Sequence, residues 1–281
     1  MLPSLPDNWI SLPILLILAY KNLPFVWLIR FLRTLLTRLF ILPTHQNLQP
    51  NHLFLPAIHR TRSPLSECDY NIHKSNSTYF TDLDISRGNL SLLLFSQGLS
   101  FRLCETKAVM ILSGVQCLFR REIRPYQGYE VWSRVMSWDE KWVFVVSHFV
   151  ERGVFKEGGR VLQGDDISVS ISTSGSGSGG KSEGIGKDDA QKKVFASAVS
   201  RYVFKQGRRT FPPREMLVKC GLLPKGDGES EEDRKLMEDI EQRRRRDLEA
   251  AQLKMGWEAV HNSFDGDVSR VLGRYTDLLW R

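Results

Sequence analysis

The sequence predicts an α+β fold in which one long helix is wrapped by an antiparallel sheet. Three observations predict it. Residues 77–98 carry Phe80, Leu83, Leu90 and Leu94 on one helical face. A short run, Ala57 to Ser63, precedes that helix and reads as a strand. Four strand-like runs follow it, two of them joined by the tight turn Trp138-Asp139-Glu140-Lys141.

Taken in order, Val109 to Phe119 alternates, with Val109, Ile111, Val115, Cys117 and Phe119 on one side. Tyr129 to Met136 alternates likewise, and Trp142 to Val150 completes a hairpin with it. Val194 to Phe204 restores a strand after a Ser- and Gly-rich stretch, about residues 165–190, that has no core-forming pattern and reads as a flexible insertion. The expected domain therefore spans residues 57–210. A carboxy-terminal helical extension, 211–281, follows, its main helix running from Asp233 to His261 with acids and bases mixed along it.

The amino-terminal residues 1–45 form a hydrophobic segment. Ile10 to Ala19 is too short to cross a bilayer. In Phe25 to Leu42, Arg30, Arg33 and Arg38 fall with Thr34 and Thr37 within an arc of about 140°. Leu28, Leu32, Leu35 and Leu39 lie opposite, so the segment is expected to lie in a membrane interface, its arginines toward lipid phosphates. A tilted span or hairpin through Pro13 to Leu42, and a helix packed on the protein's own core, are the alternatives. A signal peptide is disfavoured, because Met1 to Asn8 holds no Lys or Arg.

The 281 residues carry a net charge of +7. Such a balance suits nucleic acid, an anionic membrane surface or a phosphorylated ligand. The basic clusters are short and no nucleic-acid module accompanies them, so no nucleic-acid partner is expected. Cys68, Cys104, Cys117 and Cys220 form no CxxC pair and read as reduced thiols, which suits an intracellular, membrane-associated protein. No metal spacing or glycine-rich phosphate loop is present, and no cofactor is implied.

The polar loop between the first strand and the long helix carries the chemistry. Its tract Asp69-xxx-His73-xx-Asn76-xx-Tyr79 resembles the active-site loop of hotdog-fold thioesterases of the 4-hydroxybenzoyl-CoA thioesterase superfamily. More closely it is similar to the THEM-like and fungal thioesterase-like group. The resemblance covers about half of the chain and implies a hotdog fold, an active site formed in a homodimer, and an acyl thioester of coenzyme A or a carrier protein as substrate, with fungal secondary metabolism as a setting. Two positions depart from the usual D-x-D-x-x-G-H: Glu67 replaces the first acid and Ile72 the glycine. Asp69 retains the catalytic acidic position.

Chemically, Asp69 would attack the thioester carbonyl or deprotonate a water. Backbone N–H groups at the start of the Ser77 helix would hold the oxyanion. His73 and Asn76 would position substrate or brace the loop, while Glu67, Ser77 and Tyr79 would meet substrate. Arg120 and Arg121, at a strand end, would meet the phosphates of coenzyme A; solvated charges are the simpler reading. A Cys68–His73 nucleophile pair lacks a third orienting group. Hotdog hydratases carry D-x-N-P-L-H, with five residues from acid to histidine against four here. A non-catalytic acyl-binding or scaffold protein on the same fold is the rival outside enzymology.

Overall fold

The computed structural model describes residues 20–37, 48–99, 108–155, 159–162, 187–224, 231–266 and 268–277. Its helices are α1 (Val26–Leu36), α2 (Thr78–Phe95), α3 (Lys187–Lys192), α4 (Pro213–Lys219), α5 (Glu231–Ala251) and α6 (Gly256–His261). Its strands are β1 (Ala57–Arg62), β2 (Val109–Phe119), β3 (Gly128–Trp138), β4 (Val143–Glu151), β5 (Val194–Gln206), β6 (Arg209–Phe211) and β7 (Gly273–Thr276). Residues 163–186, most of the expected insertion, lie outside the described residues, as do Cys104, Arg38 and Leu39.

The sheet runs β2-β5-β4-β3-β1-β7, with β6 added to β5. All pairs are antiparallel except β1 with β7, so the sheet is mixed. Alternation decides which layer each residue joins. On one face, Tyr129, Val131 and Phe149 pack with Tyr79 and Leu83 of α2. Further along the same face, Val135, Val145 and Phe204 meet Leu90, Leu93, Leu94 and Phe95. On the other face Met136, Phe144, Val146 and Val199 pack against Ala250, Ala251 and Val260 of α5 and α6. The sheet is thus sandwiched, with the long helix on one side and the carboxy-terminal helices on the other.

Two expectations change. The continuous helix from Asp233 to His261 is broken, because Leu253 at φ 60° and Gly256 at φ 77° turn the chain between α5 and α6. The turn lets both short apolar faces lie on the curved sheet. Beyond α6 the chain returns as β7, beside β1.

The other change concerns the amino-terminal segment. Helix α1 packs on α2, where Gly88 makes the approach possible: a Cβ there would lie 2.9 Å from Cε2 of Phe31. Arg30 does not face outward with Arg33. It is buried, while Phe25, Trp27, Leu28, Ile29, Leu32 and Leu36 are exposed. The physical reason is two buried carboxylates beneath α1, described below, which give the guanidinium a better partner than solvent. Among the described residues no helix is long and apolar enough to cross a membrane.

Candidate active site

The loop Leu65 to Ser77 is fastened at its base and open at its tip. A 3-10 turn, Leu65–Glu67, leads into it. Cys68 and Lys74 then bridge in antiparallel fashion, and Asp69 N–H donates to His73 O at 3.0 Å. Between them Ile72 N–H donates to Asp69 O, while Asn71 N–H donates to Asp69 Oδ1 at 2.9 Å, an Asx turn that fixes the carboxylate. Ile72 sits at φ 58°, the left-handed region that a β-branched residue rarely enters and glycine enters freely. The loop therefore keeps the backbone shape of a glycine without the glycine.

At the tip, His73 Nδ1 stands 3.6 Å from Asp69 Oδ1, a contact and not a hydrogen bond. Both side chains are about a quarter exposed, 28% and 26%. Tyr70 and Ile72 around them are exposed. Asn76 and Ser77 are exposed at the start of α2, and Ser77 Oγ lies 3.1 Å from Ser75 Oγ. Ser77 makes no side-chain cap and adopts a helical conformation itself, while Thr78 Oγ1 donates to Ser75 O.

Two expected substrate contacts are turned inward. Glu67 is 2% exposed and accepts from Lys74 Nζ at 2.6 Å. Tyr79 is also 2% exposed, its ring edge-on to Phe119 and Phe149 at 5.0 and 4.9 Å. Burial raises its phenol well above the usual range. Both belong to the interior. Arg120 is paired with Glu258 of α6, and Arg121 donates to Lys192 O and stacks over Phe195 at 5.2 Å. Their segment still runs beside the loop, since Lys74 N–H donates to Ile123 O at 2.8 Å.

Behind the loop lies a feature the sequence reading missed, a buried set of three cations and three carboxylates. Asp82, fully buried on α2, accepts from Lys74 at 3.0 Å, Arg30 at 2.6 Å and Lys21 at 3.2 Å, and from the Tyr129 hydroxyl. Asp277, just past β7, accepts from Arg30 at 2.6 Å and from Thr61 at 2.7 Å. Glu67 completes the set. Burial alone would raise the Asp82 carboxyl, but Lys21, Lys74 and Arg30 together hold it well below the usual carboxylate range. Burial and the neighbouring Asp82 push Glu67 up despite its lysines, and burial pulls Lys21 down. His59 nearby is pulled down to about 4 by burial and is neutral. The cluster ties α1, the loop, α2 and the end of β7 to one point.

A helix held in a curved sheet, with a carboxylate and an imidazole presented at the helix entrance, defines the hotdog class of thioester-processing proteins. Comparison with known proteins agrees. The probable thioesterase atnL of Emericella nidulans is 35% identical over 292 residues, covering 93% of this chain and 90% of that protein. The thioesterase poxG of Penicillium oxalicum is 35% identical, covering 92% of this chain and 87% of that one. A probable thioesterase of Saccharomyces cerevisiae is 32% identical over 74% of this chain and 77% of its own length. The chain belongs to this family of hotdog thioesterase-like proteins, and it is a thioester hydrolase. No family model matches it. Among solved structures, the probable thioesterase YbaW from Escherichia coli aligns with a TM-score of 0.38 at 10% identity, covering 59% of this chain and 96% of that one. At that score the likeness adds nothing to the assignment, which rests on the relatives.

Proposed function

We propose that Asp69 carries the hydrolysis of an acyl thioester delivered by coenzyme A or a carrier protein, with His73 and Asn76 positioning substrate. The observation that supports this most is the Asp69–His73 pair, held at an open loop tip by backbone and Asx-turn bonds and braced from behind by buried ion pairs. In the reaction, Asp69 either activates a water that adds to the carbonyl, or adds itself to form an acyl anhydride that a water then hydrolyses; by either route the C–S bond breaks, the sulfur takes a proton, and water supplies the oxygen of the free carboxylic acid. No side chain caps the start of α2, although Thr78 N–H and Phe80 N–H donate to Ser75 O and Ser77 O, and the positive end of the helix dipole there is suited to the carbonyl oxygen as it gains charge. The glycine-like backbone at Ile72 favours this reading over a binding-only protein, since the loop shape survives the replacement.

The working form is a homodimer. Among the described residues strand β2 has an open edge, with Ile111 and Leu112 exposed, which suits pairing with a second copy. The outward apolar face of α1 suits a membrane surface, with Trp27 and Phe25 at the headgroup level and the protein inside the cell. Release of an acyl or polyketide chain in fungal secondary metabolism is the setting that the loop's resemblance implies. The test is a panel of acyl-CoA and acyl-carrier thioesters with the purified chain, followed by release of the free thiol. Hydrolysis lowered by about 10²–10⁴ in Asp69→Asn, with the fold intact by circular dichroism, is the expected result.

A further inference from the structure

A second polar cavity lies on the opposite face of the sheet from α2 and the Asp69 loop. It has a volume of about 620 Å³ and is closed by α5 and by the segment that follows α6. Its charged lining is unbalanced: Arg134, Arg243 and Arg246 face only Asp247 and Asp265. Asp247 is already engaged, with Arg246 at 2.8 Å and Arg243 at 3.9 Å. Arg134 is different. Its guanidinium donates to the backbone oxygens of Ser263 at 3.1 Å and Val135 at 3.4 Å, and no carboxylate lies within ion-pair distance of it among the described residues. Burial and the nearby Arg243, outweighing Asp247 and Asp265, pull it down to about 10.

An unpartnered ring nitrogen lies in the wall of the same space. His148 of β4 lines the cavity, is 2% exposed, and its Nε2 has no hydrogen-bond partner among the described residues. Its Nδ1 is 3.0 Å from Ser197 Oγ, which is in turn 3.3 Å from His261 Nδ1. Burial holds the imidazole neutral. Where Ser197 donates to Nδ1 and accepts in turn from His261 Nδ1–H, the ring proton sits on Nε2, in the wall of the cavity. A buried donor left without a partner is costly, and so is a cation without an anion. One bound anion satisfies both.

We propose that this cavity is a binding site for an apolar carboxylic acid, its carboxylate held by Arg134, Arg243 and His148 Nε2–H. Three guanidiniums against two carboxylates among the described residues suit a monoanion better than a phosphate dianion. The remaining walls, including Phe54, Trp132, Met136 and Phe264, suit an acyl or aryl body. The proposal rests on the thioesterase reading only in that the product of hydrolysis is itself such an acid; the site stands apart from Asp69.

The experiment is calorimetric titration of the full chain with octanoate, with octanol and with inorganic phosphate. Octanoate binding to both wild type and Asp69→Asn, weakened at least about tenfold in Arg134→Gln and in Arg243→Gln, is the expected result. Both arginine variants are checked by circular dichroism, and either one that folds suffices. Octanoate affinity unchanged in a folded arginine variant overturns the proposal. So does octanol or phosphate binding as tightly as octanoate. Loss of octanoate binding in Asp69→Asn alone overturns it as well, by placing the acid in the catalytic loop.

Discussion

Substituting Asp82 by Asn tests whether the buried charge cluster holds the molecule together. The side chain keeps its shape and loses its charge. Lys74 at 3.0 Å, Arg30 at 2.6 Å and Lys21 at 3.2 Å then share only Glu67 and Asp277. All of these side chains are at most 2% exposed, so water cannot take the place of the lost anion. Breaking a buried ion pair from one side costs about 3–5 kcal/mol. For a chain of this length that lowers the melting temperature by on the order of 10 °C. Urea unfolding followed by tryptophan fluorescence measures the cost, and a companion Lys74→Met variant tests its origin. Because the two groups are in direct contact, the double variant should lose less than the sum of the singles. An Asp82→Asn stability within about 0.5 kcal/mol of wild type would refute the reasoning, since it would mean that the cations find water or other partners.

Other outcomes follow from the same structure. His59 ionises near 6.5 when unfolded but is held down to about 4 by burial in the fold. The unfolded chain therefore binds more protons between these values, so stability falls as pH drops from 6.5 toward 4, by about 3 kcal/mol from this group; a His59→Gln variant should flatten the slope in pH-dependent denaturation. The depressed carboxyls of Asp82 and Asp277 contribute stability that is present above the ordinary carboxylate range and lost only as pH falls through their lower folded values, which places a second, steeper loss below about pH 4. Gly88→Ala puts a Cβ 2.9 Å from Phe31 and should cost about 1–3 kcal/mol, with Phe31→Ala in the same chain restoring much of it in thermal melts. Ile72→Gly removes a left-handed strain at an exposed turn and should leave stability unchanged or raised by up to about 1 kcal/mol.

The fold was largely legible because its signals are local. Strands β2 to β5 are runs of 9 to 13 residues rich in β-branched and aromatic side chains, and α2 is an 18-residue helix that brings Leu83, Leu90 and Leu94 into the core. Strand β7 was not legible: Gly-Arg-Tyr-Thr is four residues with no periodicity, and it exists because β1 offers it an edge. At the site, Asp69 and His73 could be placed by spacing, whereas the fate of Glu67, one bridge away, depended on where Lys74 pointed. Asp82 lies near the start of α2, where a carboxylate ordinarily complements the helix dipole from the surface. Its position three residues from Tyr79 and one from Leu83 puts it on the buried face, and that was the available clue. The partners that make its burial tolerable, Lys21, Arg30 and Asp277, come from opposite ends of the chain, where no local pattern pairs them. Arg30 was misplaced for the same reason, since helical periodicity groups it with Arg33 and cannot show the carboxylates beneath.

The central claim is that Asp69, presented beside His73 at the loop tip, performs the hydrolysis. The most direct measurement is kcat/KM of wild type, Asp69→Asn and His73→Ala on one hydrolysable acyl-CoA, with stability measured in parallel. The account predicts a loss of about 10²–10⁴ for Asp69→Asn with unchanged unfolding, and a smaller loss for His73→Ala. Equal kcat/KM in wild type and Asp69→Asn would contradict it and move the chemistry to another residue.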